Sequence, residues 1–264
     1  MPQKELIVLL PYIKIGSFSL PTYYTFMFLG YVAMVVFMML PARRKLYGIG
    51  KLKAFLFATA VLFCGLLGCK ILYVIETWPE TLENGLTFGG FSFFGAALFV
   101  PLLMILFGFA FRMKIRDTLD NCAINVLAML GTIRIGCFLN GCCGGRPIEM
   151  FGRTVTFPTQ IIEAILDIGV LVWLLTIELR GEKSTRGTLY PLFLTTYGVY
   201  RFVIEFLRDT PKDWLKLSHG QWFSIIAVAA GIVWLALKTR SAKAQGTSSG
   251  TKPSKNRKKL SSRG

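Results

Sequence analysis

Residues 133–146 read IRIGCFLNGCCGGR, and they join a long apolar run to a glycine-rich turn. Arg134 lies inside the apolar run, and Asn140 stands where the run ends. An arginine at membrane depth is costly, so it usually faces a cavity, a partner or a ligand. The glycines after Asn140 break the helix and are expected to leave backbone N–H groups free, which together with a guanidinium form an anion site. The stretch therefore predicts a membrane helix whose outer end holds a lipid phosphate.

The composition of the whole chain favours a membrane protein over a soluble domain. The 264 residues are 53% hydrophobic and only 17% charged, and the mean hydropathy is +0.55. Long apolar runs in such a chain are typical of a polytopic, all-α membrane protein. Seven runs are long enough to span a bilayer, and the predicted spans are residues 23–40, 54–75, 90–111, 121–139, 159–179, 189–207 and 221–237.

The positions of the basic residues predict how the chain is oriented. A net charge of +16 could indicate a nucleic-acid partner, but most Lys and Arg residues lie after the first, third and fifth spans and in the tail. Short basic loops stay in the cytoplasm, so seven spans place the N-terminus outside and the C-terminus inside. We expect a transmembrane domain over residues 1–240, a basic, disordered cytoplasmic tail over 241–264, and no nucleic-acid partner.

A second polar pattern follows residues 197–208 and predicts one polar face on a helix. Tyr197, Arg201, Glu205 and Arg208 recur at spacings of four, four and three residues. One acid cannot balance two arginines, so the stripe favours an anionic headgroup at the outer face. The alternative is an Arg201–Glu205 pair that neutralises itself inside a helix bundle.

Two further segments carry candidate residues, each with a structural alternative. Glu163, near the start of the fifth predicted span, could orient Arg134 or Arg201, or could be an acid favoured by the helix dipole. The glycine-rich residues 89–96, which include Phe94, allow a close backbone approach or ordinary packing of small residues.

Three cysteines, Cys137, Cys142 and Cys143, are predicted to lie near the outer face. They could pack or form a disulfide, act as a catalytic thiol beside Arg134, or ligate a metal. The metal alternative is the weakest from sequence, because the chain has one histidine and no CxxC pair. We therefore expect no metal and no organic cofactor.

Several of these motifs, in this order, resemble the prolipoprotein diacylglyceryl transferases of bacterial membranes. The resemblance rests on RxG at Arg134 with F-x-N-G after it, the Gly145–Arg146 pair, P-[ST]-Q-x-x-E over residues 158–163, and Y-G-x-x-R-x-x-x-E-F-x-R over residues 197–208. It implies seven spans in the bacterial plasma (inner) membrane, with the N-terminus outside. It also implies transfer of the diacylglyceryl group of phosphatidylglycerol to the lipobox cysteine thiol of a secreted precursor, with glycerol phosphate released.

The resemblance also assigns roles to residues. The implied catalytic residues are Arg134, Arg201 and Glu205. The residues implied to bind substrate or support the site are Tyr24, Phe94, Asn140, Gly145, Glu163, Tyr197 and Arg208.

The chain departs from the family pattern where protons would be handled. Phe94 and Phe157 stand where the family has histidines, Cys137 replaces an asparagine, and Cys142 replaces an acid. Glu205 or a cysteine thiolate could then act as the base. Two other functions stay open: a protein with the same lipid site but a different acceptor or a thiol-based redox role, and a phospholipid-binding or transport protein without a covalent step.

Overall fold

A computed structural model describes residues 10–78, 85, 93–150, 153–180, 185–212 and 215–249. Two β-hairpins and eight α-helices form the described part of the chain. The strands are β1 (Tyr12–Ile15), β2 (Phe18–Pro21), β3 (Pro147–Met150) and β4 (Arg153–Thr156). The helices are α1 (Thr22–Met39), α2 (Pro41–Tyr47), α3 (Lys51–Glu76), α4 (Phe93–Ala110), α5 (Ile115–Leu139), α6 (Thr159–Leu179), α7 (Leu189–Ile204) and α8 (His219–Ser249).

Helix α5 lies at the centre of the fold. It packs against α1, α4, α6 and α7, while α3 packs on α4 and α7 packs on α8. Most side chains along α5 are buried, and it is the most buried of the long apolar helices described. Arg134 lies on α5, and because this helix is central, the arginine is buried inside the bundle.

The helices have the length and polarity of membrane spans. Helices α1, α3, α5, α6 and the part of α8 up to Ser241 are long and apolar enough to cross a bilayer, and α4 contains a shorter apolar helix. Large apolar side chains such as Phe28, Phe63, Leu106 and Ile165 are exposed on the outside of the bundle. A helical bundle with an apolar surface suits a lipid environment, because each helix satisfies its own backbone hydrogen bonds. The chain is thus a helical, multi-pass membrane protein, as its composition predicted.

The ends of several predicted spans differ from the structure, and two of them differ by six residues or more. Helix α5 begins at Ile115 rather than at residue 121. Asp120 thus lies within the helix, where it is buried and accepts hydrogen bonds from the backbone N–H groups of Gly187 (2.5 Å) and Tyr190 (2.9 Å). Helix α8 continues to Ser249, into the segment predicted to be a disordered tail. Residues 250–264 lie outside the described part.

Both hairpins lie next to helix ends and were not predicted. The β1–β2 hairpin leads into α1, and the β3–β4 hairpin connects the glycine-rich turn to α6. Both are short and antiparallel, so their ladders are too small to show a clear alternating pattern in the sequence. The second hairpin matters for function because it brings the turn after α5 against the start of α6.

A buried polar cluster joins helices at the end of the bundle opposite to Arg134. Arg43 is 1% exposed; its Nε lies 2.5 Å from Glu178 Oε2, and its Nη2 donates to Asn121 Oδ1 at 2.8 Å. Tyr47 donates to Glu178 Oε1 at 2.7 Å. Arg43 belongs to the basic segment that follows the first predicted span, but its side chain connects α2, α5 and α6.

Candidate active site

Three arginines share two buried glutamates at the end of α5. Glu163, which is 2% exposed, contacts Arg134 Nε through Oε2 and Arg201 Nη1 through Oε1. Arg208 Nη1 lies 3.4 Å from the same Oε1. Glu205, which is 1% exposed, lies 2.9 Å from Arg201 Nη2 and 3.7 Å from Arg208 Nε. The structure therefore brings together five residues that the sequence analysis singled out, with one more positive than negative charge.

Short local spacings place these side chains. Arg201 lies in the last turn of α7, and a single 3-10 turn, Glu205–Leu207, follows directly. The predicted helix over residues 189–207 thus tightens at Glu205. The polar stripe survives this change, because residues three apart lie on the same side of a 3-10 helix. Arg208 then leaves the turn in an extended conformation (φ −95°, ψ 151°) and still reaches both glutamates.

The second glutamate is held by residues that the sequence analysis missed. Thr210 Oγ1 and Ser218 Oγ both donate to Glu205 Oε1, at 2.9 and 3.0 Å. Gly220 packs on the same carboxyl group, and a Cβ atom there would lie 2.9 Å from Glu205 Cδ. No short motif links these residues to Glu205, since the chain must fold before the loop after Arg208 meets it.

One arginine atom in the cluster has no hydrogen-bond partner among the described residues. Arg208 Nε is buried, and its distance of 3.7 Å to Glu205 Oε2 is too long for a hydrogen bond. A buried donor of this kind costs free energy unless something binds it. An oxygen of an anionic ligand would satisfy it.

A second layer of polar and aromatic groups lies behind the arginines. Tyr200 donates from its hydroxyl group to Asp167 Oδ1, and Asp167 is buried. Tyr197 is packed between Phe193, at 5.5 Å between ring centroids, and Tyr200, at 5.2 Å. The role of Tyr197 as a supporting residue stays a prediction.

The structure does not place two of the predicted site residues, Tyr24 and Phe94, in the arginine–glutamate cluster. Tyr24 is 61% exposed. Its neighbour Tyr23 interacts electrostatically with Arg134 and with three cysteines, Cys137, Cys142 and Cys143. Phe94 lies in the first turn of α4, but its side chain and residues 89–92 fall outside the described residues. The role predicted for Phe94 stays a prediction.

The glycine-rich turn after α5 is tied to its neighbours through its backbone. Gly145 N–H donates to Phe157 O at 2.9 Å, and Arg146 N–H donates to Leu207 O at 2.8 Å. A Cβ atom on Gly145 would lie 2.5 Å from Leu207 O, so the close approach requires glycine at this position. The turn thereby holds the start of α6 and the backbone next to Arg208 together.

These hydrogen bonds correct one expectation. The turn was predicted to offer free N–H groups to an anion, but the N–H groups of residues 140, 141, 142, 145 and 146 all donate to backbone carbonyls. The expectation is wrong for these five residues because the turn folds back on α5 and extends into the β3–β4 hairpin. Only the N–H groups of residues 143 and 144 remain in the turn as backbone donors for an anion, so we expect the arginine side chains to supply most of the contacts.

Three cysteine thiols lie together beside the arginines. Cys137 is buried in the last turn of α5, Cys142 is half-buried and Cys143 is exposed. Their sulfur atoms lie within 4.8 Å of one another, and all three are free thiols rather than a disulfide. Hydrogen bonds from the thiols of Cys137 and Cys142, followed by the positive charges of Arg134 and Arg208, lower the pKa of Cys143. We refer to Cys137, Cys142 and Cys143 as the thiol cluster.

Fold and site together define a multi-pass membrane protein with a buried arginine–glutamate cluster beside free thiols. Residues 11–237 match the sequence model of the prolipoprotein diacylglyceryl transferases, and the chain belongs to this family.

Similar proteins occur in several bacteria. A phosphatidylglycerol–prolipoprotein diacylglyceryl transferase of Clostridium tetani is 31% identical over 221 residues, which are 77% of this chain and 87% of the relative. A protein of the same name from Methylobacillus flagellatus is 34% identical over 196 residues, or 68% of this chain and 74% of the relative. One from Streptococcus agalactiae is 25% identical over 246 residues, or 86% and 95%.

Proposed function

We propose that this chain transfers the diacylglyceryl group of phosphatidylglycerol to the lipobox cysteine thiol of a prolipoprotein and releases glycerol phosphate. Membership of the family and the names of the relatives support this activity. The observation that carries it for this chain is the sharing of two glutamates by three arginines. The surplus positive charge suits one phosphodiester anion.

The arginines can bind both the substrate phosphate and the leaving group. A guanidinium pairs with phosphate through two parallel hydrogen bonds, and such bonds are stronger than neutral ones. At about 4 Å and an effective dielectric constant of about 20, one such charge pair contributes on the order of 4 kcal/mol before desolvation is counted. Arg134, Arg201 and Arg208 are the proposed contacts, and Glu163 and Glu205 hold them in place.

The reaction places new charge on the phosphate. The acceptor sulfur forms a bond to the terminal glycerol carbon of the diacylglyceryl group, and the bond from that carbon to the phosphate oxygen breaks. The electron pair of the broken bond stays on glycerol phosphate. Fixed arginines that face this oxygen stabilise the transition state more than the ground state, because the charge grows as the bond breaks.

The acceptor thiol must lose its proton before or during the attack. The residue at the position of the family histidine is Phe94, which cannot accept a proton. Glu205 is engaged by two arginines and two hydroxyl groups. The thiol cluster, which lies beside Arg134 and Arg208, is another group that could act on the acceptor.

We also propose seven spans in the bacterial plasma (inner) membrane, with the N-terminus outside and the C-terminus in the cytoplasm. The loops that carry basic residues meet at one end: Arg186 Nη2 donates to Leu46 O, and Lys238 Nζ donates to Arg186 O at 2.7 Å. This supports a common cytoplasmic side for these loops. The arginine–glutamate cluster then lies at the outer face, where a secreted precursor would arrive. Residues 1–240 would form the membrane domain and the end of the chain a basic tail.

A transfer assay tests the proposed activity. The purified chain in micelles with phosphatidylglycerol is given a lipobox peptide, and mass spectrometry measures the diacylglyceryl adduct. We expect an adduct with the wild type and with Arg180→Ala, an exposed arginine at the far end of α6, and none with Arg134→Ala. Bound phosphatidylglycerol without any adduct would instead favour a lipid-binding protein.

A further inference from the structure

The thiol cluster is formed by an unusual turn. Gly141 (φ +72°) and Cys143 (φ +62°) both adopt the left-handed conformation, which turns the chain back towards the last turn of α5. A cysteine in this conformation is strained where a glycine would not be. The turn therefore keeps a sulfur atom beside Cys137 at a cost in backbone energy, and such strain is often found at functional sites.

The residues around the thiol cluster hold it from the side of α6. Gln160 Nε2 donates to Cys142 O at 2.7 Å, and the Asn140 side chain lies next to the Cys142 thiol. Gly144 packs directly on Thr156, which leaves no room for a side chain there. Three sulfur atoms are thus placed by contacts to two helices and a hairpin rather than by a mobile loop.

Packing alone does not explain the cluster. Cys137 is buried, but Cys142 is half-buried and Cys143 is exposed, so the cluster extends from the interior to the surface. Among the described residues, these three thiols are the group of side chains close enough to ligate one metal ion.

We propose that Cys137, Cys142 and Cys143 bind a zinc ion, and that the acceptor thiol binds at the fourth coordination position of this ion. The binding of the acceptor thiol rests on the proposed function. Zinc binds thiolates at about 2.3 Å in tetrahedral geometry, which places sulfur atoms about 3.8 Å apart. The observed sulfurs, within 4.8 Å of one another, need to close by about 1 Å at most to reach this spacing. This inference replaces the expectation that the chain uses no metal.

Three protein ligands and one open position are typical of catalytic zinc, whereas structural zinc has four protein ligands. The exposure of Cys143 leaves the open position on the accessible side of the cluster. A thiol that binds zinc loses its proton, so the metal would supply the nucleophile without a histidine. The cluster would thus perform the task that Phe94 cannot perform.

The step balances without an oxidant. The acceptor thiol gives its proton to water and binds zinc as a thiolate. Its sulfur then forms the bond to the glycerol carbon, the carbon–oxygen bond to the phosphate breaks, and glycerol phosphate leaves with the electron pair. The thioether product binds zinc more weakly than a thiolate and departs, and zinc keeps its charge throughout.

The zinc content of the full chain is the first measurement. The protein is purified in detergent, equilibrated with zinc and freed of unbound metal. Its zinc content is then measured by inductively coupled plasma mass spectrometry. We expect one zinc ion per chain in the wild type and in the control Cys64→Ala/Cys69→Ala, and none in Cys137→Ser/Cys142→Ser/Cys143→Ser. Wild-type protein without zinc, or with two hydrogens fewer by intact mass because a disulfide has formed, would overturn the proposal.

Cobalt in place of zinc tests the open position. Thiolate ligation gives cobalt a strong absorption, and we expect it to intensify when a lipobox peptide with cysteine is added but not when its serine variant is added. An unchanged spectrum would overturn the role of the acceptor thiol. The transfer assay separates the proposals: an adduct formed by zinc-free protein would leave the proposed function in place and overturn the role of zinc in the transfer.

Discussion

Glu163 organises the candidate site at the scale of single residues. Its two oxygens contact guanidinium groups from α5, from α7 and from the segment after the 3-10 turn. A buried carboxylate with three cationic partners is stable only while those partners remain, because an unpaired buried charge costs several kcal/mol. The position of each arginine therefore depends on the other two.

Arg201→Lys should reduce turnover about 100-fold or more, the loss typical of a removed transition-state donor. A lysine carries the same charge but cannot contact Glu163 and Glu205 together through a planar fork, as Arg201 does. The measurement is the rate of adduct formation at saturating phosphatidylglycerol, with thermal unfolding in detergent as the check on folding. A rate close to that of the wild type would show that charge alone is sufficient at this position.

Gly145→Ala should lower turnover by about 100-fold, because a small misplacement of catalytic groups can cost that much. The added methyl group would clash with Leu207 O and push the turn away from Arg208. Gly169→Ala is the matched control, since a Cβ atom there meets nothing within 4 Å. Equal rates for the two variants would contradict the need for this close approach.

At the scale of helices and turns, α5 and α6 each carry a polar cluster at both ends. Glu163 and Glu178 lie on the same helix, about 22 Å apart at 1.5 Å per residue. The cluster of Arg43, Asn121 and Glu178 fixes the far end of these helices and touches no residue of the candidate site. The two ends should therefore respond differently to substitution.

Arg43→Ala should destabilise the protein by about 3–5 kcal/mol, because Glu178 would remain buried without its partner. The double variant Arg43→Met/Glu178→Leu should recover most of this loss, since neither charge remains. Denaturant unfolding in detergent measures the stability, and the transfer assay on folded protein should show an almost normal rate. A double variant less stable than Arg43→Ala would argue against the pairing.

The local parts of this architecture could be predicted from the sequence. The Arg201–Glu205–Arg208 stripe was visible because it depends only on helical spacing, and the apolar runs revealed the helices. The partners of Glu205 were not visible, because Thr210, Ser218 and Gly220 reach it only after a loop has folded. The burial of Arg43 was hidden by the basic residues beside it, since a charge in a basic loop usually faces water or lipid headgroups.

At the scale of the whole molecule, an apolar belt separates the two polar ends. The exposed large side chains of the helices cover the middle of the bundle. Basic loops gather at the end with Arg186 and Lys238, and the arginine–glutamate cluster lies at the other. This arrangement fits a protein whose two ends face different compartments.

A reporter enzyme that is active only outside the cytoplasm should be active when fused after Lys212 and inactive when fused after Arg116. Lys212 follows α7 on the side of the candidate site, and Arg116 lies at the start of α5 on the basic side. Activity and protein level are measured together in whole cells, so that a poorly produced fusion is not misread. The reverse pattern would invert the proposed orientation and place the site in the cytoplasm.

The imbalance of one charge in the cluster also bears on which lipids the protein distinguishes. In a lipid whose headgroup carries an ammonium group, this charge cancels that of the phosphate. Such a headgroup would lose about as much hydration on binding as an anionic one but would not neutralise the surplus positive charge of the cluster. The choice of lipid would then depend on the match between the net charge of the headgroup and that of the arginine–glutamate cluster, rather than on the shape of a pocket. The substitution Glu205→Gln would raise the net positive charge of the cluster by one. We expect it to shift the lipid preference towards headgroups with two negative charges.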